Sequence, residues 1–557
     1  MSVNSLLELE NNIYHPNHKY MAIQPHITEK MRVILVDWLL EVFLMFKLNK
    51  LSISYAITIL DTYLSLKIVA RESLQAIGCM CLNIACHISE IYQPELGDYV
   101  YITDGAYTNK QLNEHMMDII YTLNGNIYRP SVKTFVQAEL LPIEGEEYTK
   151  MFETLDRVND VNYLCYISYY FTKYYKPSLI AYTIIYLVSG KISGYTYQEM
   201  ANVCNEFHSI IEKSSKTTLE FLKKTVSNLS KNILNKCSET AISIQKKYIK
   251  APRNKNDTFK KCEKINEYLG EGTYGQVWKT KCSDKIYAVK QLDDYASALT
   301  EMITYRLLGE FIYINQLSGF LFEITKDGSN INTFLFMEIA DFNLANAVTK
   351  NLIPLDDNSI RKYYYDILKG IEYCNRYDVI TGDIKPQNIL CSKDTNNNII
   401  LKIIDFGLAQ FDVSIRNAQY HNIYTATYRA PELFLQMKYT TNVDVWALGM
   451  IYWFIVTKTD NVWDIISAVS VSNEMYILSV IFNFLGKPKK DEWPELYDNK
   501  NYTDYFTNKK VDNLDYDFYN LLGEHYELIM ACLIINPEKR PSSHALLECS
   551  EKFYPIK

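Results

Sequence analysis

Four residues with charged or amide side chains lie close together in the C-terminal half of the sequence. Asp383, Lys385 and Asn388 form the pattern DxKxxN within TGDIKPQNIL, and Asp405 opens an Asp-Phe-Gly triplet. Phosphoryl transfer depends more on positioned charge than on covalent chemistry. A carboxylate can orient an attacking hydroxyl, a lysine can neutralise phosphate charge, and carboxylate and amide oxygens can hold magnesium. We therefore predict Asp383 and Lys385 as catalytic residues and Asn388 and Asp405 as magnesium ligands.

A glycine-rich segment that could hold nucleotide phosphates precedes these residues. Its GxGxxG pattern allows the backbone to lie against phosphate oxygens without intervening side chains. Alone this spacing is weak evidence, because an ordinary glycine turn can show it. Lys290 follows at the distance of one further strand, and Glu301 lies on the next predicted helix, where it can pair with Lys290. The predicted nucleotide-binding residues in this region are Gly270, Glu271, Gly272, Gly275, Val277, Ala288, Lys290 and Glu301.

The elements that must position these residues follow a change of pattern along the chain. Hydrophobic periodicity stops at residues 250–259, KAPRNKNDTF, which predicts a linker. Residues 1–249 are nearly all helical in pattern, whereas strand patterns dominate 260–340 and helical periodicity returns over 341–557. The sequence therefore predicts a multidomain protein, in which an all-α domain precedes a bilobal α+β domain.

Length and composition agree with this division. A chain of 557 residues exceeds what one hydrophobic core usually supports, and its 48% hydrophobic content can supply two cores. The net charge of -8 gives no reason to expect a nucleic-acid partner. The 12 cysteines lack paired CxxC spacing, and we find no signal peptide or apolar run of membrane-spanning length. We therefore expect reduced thiols in a soluble intracellular protein without a membrane partner, in the nucleus or the cytoplasm.

The segment 260–557 resembles the eukaryotic protein kinases. IIDFGLAQ and YRAPEL follow TGDIKPQNIL in kinase order, while GEGTYGQVWK and YASALTE resemble the glycine loop and the PSTAIRE helix of the cyclin-dependent branch. The resemblance implies ATP and Mg²⁺ as cofactors, protein substrates and, from Lys385 and Thr425, serine/threonine specificity. It also implies a structural ion pair between Glu432 and Arg540. The further residues that it marks are Glu338 and Ala340 at the adenine edge and Thr273 and Tyr274 as inhibitory regulatory sites.

Other positions depart from the kinase pattern. In the cyclin-dependent branch, three arginines grip a phosphothreonine of the activation segment. Their positions here hold Thr300, Gly382 and Gln410, and the threonine is replaced by Tyr420. Because a phosphate at that position would find no guanidinium partner, we expect activity that does not require phosphorylation of this segment.

Two further departures affect activity and substrate choice. Thr381 replaces the histidine of the catalytic-loop motif, which keeps open the hypothesis of an inactive kinase. Arg429 fits the family's preference for proline after the acceptor residue. Tyr424, however, stands where a small apolar residue usually shapes that pocket, so we expect weakened selection of proline.

An N-terminal stretch carries a second resemblance. Apolar residues recur at helical spacing in MRVILVDWLLEV, and this stripe alone favours an ordinary core helix. LDTYLS, ACHISEIYQPE and TFVQAELL then follow in the order found in cyclins. Residues 6–236 therefore resemble a cyclin of two five-helix repeats, 6–129 and 130–236, with Arg32 pairing internally with Asp61. The resemblance implies a docking patch for Arg-x-Leu peptides that comprises Met31, Leu35, Trp38, Glu41, Arg71, Leu74 and Gln75.

Together these features predict a serine/threonine kinase of the cyclin-dependent type that carries its own cyclin. Ten flexible linker residues span only roughly 17 to 19 Å, so pairing within one chain and a dimer with exchanged cyclins both remain open. A pseudokinase scaffold and a decoy that binds Arg-x-Leu cell-cycle proteins are the competing hypotheses. Retention of Lys290, Glu301, Asp383, Asn388 and Asp405 favours catalysis.

Overall fold

The computed structural model divides the chain into two compact units. One unit comprises residues 2–257 and 322–332, and the other comprises 258–321 and 333–557. The boundary near residue 257 falls within the predicted linker. The residues that the structure describes are 3–12, 20–90, 92–140, 176–189, 200, 203, 259, 262–272, 275–328, 330–394, 396–411, 423–459, 474–499, 501–502 and 521–553.

Helices make up the regular structure of the described residues before the linker, as predicted. The central helix is α4, whose residues are buried on nearly every side, as expected for a helix that is apolar all round. Helices α2, α3 and α6 pack against it. The helices are α1 (Val3–Asn12), α2 (Glu29–Met45), α3 (Lys50–Leu66), α4 (Leu74–Ser89), α5 (Leu96–Ile102), α6 (Asn109–Thr122), α7 (Val132–Leu140) and α8 (Pro177–Ser189).

A buried ion pair joins α2 to α3. The Arg32 guanidinium donates to the two carboxylate oxygens of Asp61 at 2.6 and 2.7 Å, and the Tyr20 hydroxyl also donates to Asp61 at 2.6 Å. The predicted internal pair is therefore confirmed. Because a buried pair removes two charges from water, it is evidence for a specific arrangement of helices more than for added stability.

The described part of the predicted second repeat, 130–236, is anchored to the N-terminal helix. Glu10 of α1 accepts hydrogen bonds from the backbone N–H of Ser178 at 2.9 Å and from its hydroxyl at 2.6 Å. Ser178 lies in the first turn of α8, where helix N–H groups lack partners within the helix. Most of the remaining residues of this repeat lie outside the described part of the chain.

The small lobe that follows the linker is an antiparallel sheet with one helix beside it. The strand order is β1-β2-β3-β5-β4. The helix α9 follows β3, and Asp294 caps its first turn by accepting from Ala296 and Ser297 at 3.3 and 3.1 Å. The elements are β1 (Glu263–Gly272), β2 (Gly275–Cys282), β3 (Lys285–Leu292), α9 (Tyr295–Leu308), β4 (Leu317–Ile324) and β5 (Ile331–Met337).

Two expectations about this lobe are wrong. Phe259, assigned to the linker, is 6% exposed and packs with Val289 and Phe336 in a core cluster. Cys262 and Cys282, expected as free thiols, form a disulfide. The antiparallel pairing of Glu263 with Lys281 brings these two cysteines opposite each other across β1 and β2. Sequence spacing alone gave no sign of this register.

The large lobe is mainly helical and carries a small sheet of order β6-β7-β8. Its central helix, α13, is buried along almost its whole length. In the described part of the chain, no helix has both the length and the apolar character needed to cross a membrane. The elements are β6 (Phe342–Asn343), α10 (Leu344–Thr349), α11 (Asp357–Arg376), β7 (Ile389–Lys393), β8 (Ile399–Ile403), α12 (Pro431–Phe434), α13 (Asn442–Thr457), α14 (Glu474–Leu485), α15 (Pro494–Tyr497), α16 (Tyr526–Cys532) and α17 (Ser543–Phe553).

Candidate active site

A lysine in β3 lies between two carboxylates. The Lys290 ammonium donates to Glu301 of α9 at 2.9 Å and to Asp405, just after β8, at 2.7 Å. Burial alone lowers the pKa of Lys290, but the two carboxylates outweigh it and raise the pKa above its usual value. Lys290 is therefore a fixed cation at neutral pH, and its predicted pair with Glu301 is present.

Glu301 has its partner only because α9 turns this side chain toward the sheet. Its carboxylate is completely buried, and burial raises the pKa of Glu301 to about 7, with Lys290 opposing the shift. A buried carboxylate that lost Lys290 would bear an unpaired charge. The position of α9 therefore determines whether Glu301 can pair with Lys290.

Asp383 is held from two sides in the loop between α11 and β7. One carboxylate oxygen accepts from Lys385 at 2.6 Å, and the other accepts from the backbone N–H and the hydroxyl of Thr425 at 3.0 and 2.9 Å. Sequence reasoning gave Thr425 only as a marker of serine/threonine specificity. The structure adds that Thr425 orients the carboxylate predicted as the base.

The predicted magnesium ligands lie on two connected segments. Asn388 ends a short 3-10 helix, Pro386–Asn388, and its carbonyl accepts from the N–H of Ile404 at 3.0 Å. Its amide nitrogen donates to the Asp383 carbonyl at 2.8 Å, which leaves the amide oxygen as a ligand atom. Asp405 receives Lys290 on Oδ1, so that Oδ2 can serve as a ligand. Such oxygens are the ligands that Mg²⁺ prefers, and the residues fit the ion.

Asp405 also has an unusual backbone conformation. Its φ angle is +68°, in the left-handed region that non-glycine residues rarely adopt. Such strain persists only where the surroundings fix it, and it is concentrated at functional sites.

The described glycines of the glycine-rich segment lie at the paired ends of β1 and β2. Gly270 pairs with Val277, and Gly272 pairs with Gly275. A Cβ atom at residue 275 would lie 1.9 Å from the carbonyl oxygen of Gln291, so only glycine fits there. Glu271 lies near the end of β1, and Ala288 of β3 pairs with Lys279 and Met337. The predicted regulatory residues Thr273 and Tyr274 lie outside the described residues.

The segment after β5 was predicted to contact adenine. The Glu338 carbonyl accepts from Asn315 Nδ2 at 3.3 Å, and its N–H donates to Gln316 at 3.3 Å. A carbonyl oxygen has two lone pairs and can accept a second hydrogen bond. Ala340 follows in the same segment and is half-buried. Both residues stay predictions as adenine contacts.

Comparison with known families matches both halves of the chain. Residues 263–550 match the protein kinase domain, and residues 2–128 match the cyclin N-terminal domain. The chain belongs to the protein kinase family. It carries an N-terminal cyclin domain and a C-terminal kinase domain. The kinase domain implies that the protein binds ATP and is a transferase.

The backbone around Gly382 leaves no space for the arginine side chain that the cyclin-dependent branch has at this position. Gly382 has a φ angle of +85°, and a Cβ atom there would lie 2.1 Å from the carbonyl oxygen of Leu408. A side chain at residue 382 therefore requires the backbone to move. Gln410, at another of these positions, accepts from the Tyr439 hydroxyl at 2.7 Å. Tyr420 lies outside the described residues.

Tyr424 does not line a substrate pocket as expected. Its side chain is 3% exposed, and its hydroxyl donates to Asp444 of α13. Its φ angle is +68°. Its carbonyl oxygen accepts from the Arg429 guanidinium at 3.2 and 2.8 Å. The steric reason for expecting weakened selection of proline is therefore wrong.

The predicted docking residues of the cyclin domain lie on α2 and at the start of α4. Leu35 and Leu74 are each only 6% exposed, so these two predicted docking residues present little surface. The cause is close packing: a Cβ atom at Gly78 would lie 2.8 Å from Leu35 Cδ1. The partly or fully exposed members are Met31, Trp38, Glu41, Arg71 and Gln75.

Proposed function

We propose that this protein transfers the γ-phosphoryl group of magnesium-bound ATP to serine and threonine hydroxyls of protein substrates, as a kinase of the cyclin-dependent type. The observation that carries the proposal is the linked set of Lys290, Glu301 and Asp405, because it holds a cation between two carboxylates. A scaffold without catalytic activity would have no need of this arrangement.

In this proposal each side chain has a defined task. Lys290 binds the α- and β-phosphates, and Asp383 orients the substrate hydroxyl and takes its proton. Lys385 neutralises phosphate charge beside Asp383, to which it already donates at 2.6 Å. Asn388 and Asp405 would hold Mg²⁺, which neutralises charge on the phosphates when it is bound.

The fused cyclin supplies the first activating input. A short linker gives an effective concentration on the order of millimolar. A thousandfold excess over the dissociation constant stabilises the bound state by about 4 kcal/mol. We propose that the cyclin keeps α9 in the position that pairs Glu301 with Lys290, whether it pairs within one chain or in an exchanged dimer.

Two regions bear on the choice of substrate: the activation segment at Tyr424 and the predicted docking patch of the cyclin domain. The Tyr424 carbonyl is occupied by Arg429 and is a poor acceptor for a substrate N–H. Proline lacks that N–H, so we propose selection of proline after the acceptor residue. On the cyclin domain, Met31 and Trp38 offer apolar area and Glu41 offers charge to an Arg-x-Leu peptide.

The test replaces the predicted base in the full-length protein. Removing a general base typically costs about 10² to 10⁴ in rate, so Asp383→Asn should nearly abolish transfer to a peptide while ATP still binds. The exposed residue Asp284, in the turn between β2 and β3, provides the matched control Asp284→Asn. Equal background turnover in the wild type and in Asp383→Asn would favour the scaffold instead.

A further inference from the structure

A buried hydroxyl network connects the activation segment to the helix α13. Asp444 Oδ1 accepts from the Thr381 hydroxyl at 2.6 Å and from the Tyr424 hydroxyl, and its Oδ2 accepts from Asn375 at 2.7 Å. Thr381, Tyr424 and Asp444 are 1%, 3% and 0% exposed. Burial raises the pKa of Tyr424 well above its usual value, so the phenol stays protonated and can donate.

Two of the partners of Asp444, Thr381 and Tyr424, are also departures from the kinase pattern. Thr381 stands in place of a histidine, and Tyr424 stands in place of a small apolar residue. Their hydroxyl oxygens lie 3.2 Å apart. A smaller side chain at 381 and a larger one at 424 therefore meet in one buried space, as expected for substitutions that compensate each other in a close-packed interior.

This network lies directly beside the catalytic residues. The N–H of Tyr424 donates to the Gly382 carbonyl at 2.7 Å, and the next residue, Thr425, donates to Asp383 at 3.0 and 2.9 Å. The Tyr424 carbonyl is held by Arg429 at the same time. A bulky residue keeps a positive φ angle only when its surroundings determine it. Here both backbone groups and the side chain of Tyr424 are fixed.

We propose that Tyr424 is a positioning residue that fastens the substrate-binding part of the activation segment to Asp444 and Thr381. It takes over the anchoring that a phosphothreonine and its arginines supply in related kinases. This inference rests on the proposed function, because the residues that it positions are Thr425 and Asp383. Tyr424 acts through these residues and does not contact the reacting atoms.

The first experiment removes one hydroxyl from the full-length protein. Tyr424→Phe keeps the ring, and we expect kcat/KM for a peptide to fall about tenfold to a hundredfold, as for loss of a hydrogen bond to a charged acceptor. The KM for ATP should stay within twofold. The matched control is Tyr452→Phe. Tyr452 lies on α13, is also a buried tyrosine, and its hydroxyl is hydrogen-bonded to His525 at 2.7 Å. Equal activity of the two variants would overturn the proposal.

The second experiment tests compensation between the two residues. Thr381→His alone should overfill the shared space. Tyr424→Val alone should leave a cavity and remove one of the hydrogen bonds that Asp444 Oδ1 accepts. The kcat/KM of the double variant Thr381→His/Tyr424→Val should be at least tenfold higher than that of either single variant. If the fold losses of the two single variants multiply in the double variant, the two residues act independently and the shared role is contradicted.

A readout that does not depend on catalysis separates this inference from the proposed function. The backbone N–H groups of residues 424 and 425 are hydrogen-bonded, so their hydrogen exchange should be slow and should accelerate in Tyr424→Phe but not in Tyr452→Phe. Acceleration together with an inactive wild type would support the anchor and contradict the kinase activity. Unchanged exchange in Tyr424→Phe would contradict the anchor, whatever the activity.

Discussion

Glu432 and Asp444 are both completely buried carboxylates of the large lobe, but their partners differ in charge. Glu432 accepts from the Arg540 guanidinium at 2.7 and 3.0 Å, and neither side chain is exposed. Asp444 instead receives the neutral donors Thr381, Tyr424 and Asn375. The predicted pair of Glu432 and Arg540 is thereby confirmed, whereas the network at Asp444 was not foreseen.

The difference separates two kinds of anchor for one segment. A bidentate ion pair neutralises a buried charge with another charge, so that removing one partner leaves a large uncompensated cost. A carboxylate that receives only hydroxyl and amide donors keeps its charge, and burial raises the pKa of Asp444 to about 6. We therefore expect the Glu432 anchor to control folding and the Asp444 anchor to control activity.

The largest effect on stability should come from breaking the ion pair. Arg540→Met leaves Glu432 buried without a counter-charge, and we expect the free energy of unfolding to fall by about 3 to 5 kcal/mol in urea denaturation. The control is Lys279→Met, because Lys279 pairs with Glu267 and their side chains are 27% and 55% exposed. Its loss should cost at most about 1 kcal/mol. Equal effects would contradict the contrast.

Replacing Asp444 should affect activity more than folding. Asp444→Asn keeps the shape but offers one acceptor oxygen and turns an NH₂ group toward hydroxyl donors. We expect a loss of unfolding free energy of about 1 to 3 kcal/mol, together with a fall in peptide kcat/KM at least as large as that of Tyr424→Phe. Full activity in a folded Asp444→Asn protein would show that the network does not position the catalytic residues.

The pH dependence of the rate should report Asp444. The pKa of Asp444 is raised from 3.8 to about 6, first by burial, while the hydroxyls of Thr381 and Tyr424 lower it. Below that pKa, protonation removes an acceptor, so the rate should fall as the pH drops through about 6. Tyr424→Phe removes a group that lowers the pKa, and the acid limb should move to higher pH. Tyr452→Phe should leave it unchanged, and an unmoved limb in Tyr424→Phe would contradict this assignment.

The smallest effect is expected at the position of the missing phosphothreonine. Tyr420→Phe removes the phenol oxygen that a tyrosine kinase could modify, while Gly382 and Gln410 offer no guanidinium group to a phosphate. We expect peptide kcat/KM to change less than severalfold. A loss as large as that of Tyr424→Phe would show that Tyr420 carries a required phosphate.

Two ion pairs of the kinase domain could be predicted from sequence because their residues belong to recognisable motifs. The pair of Lys290 and Glu301 follows from a strand and a helix in succession, and the pair of Glu432 and Arg540 follows from two recognisable segments. The division near residue 257 also follows from a change of periodicity. These features depend on residue type and order.

The remaining features depend on contacts that the local pattern does not encode. Tyr424 and Thr381 lie 43 positions apart, and only the packed core brings their hydroxyls together. Tyr424 combines a positive φ angle with a side chain that is only 3% exposed, and no local sequence pattern indicates either feature. Likewise Cys262 and Cys282 are joined by the register of β1 and β2.

The central claim is that the kinase is active without phosphorylation of its activation segment, and the most direct test is the activity of the unphosphorylated protein. Full-length protein from bacteria is treated with phosphatase, and mass spectrometry verifies that residues 405–432 carry no phosphate. The initial rate of γ-phosphoryl transfer to a peptide is then measured beside Asp383→Asn from the same preparation. We expect the unphosphorylated wild type to be active and Asp383→Asn to be slower by about 10² to 10⁴. Activity that arises only after Tyr420 is phosphorylated would contradict a kinase that is active as synthesised.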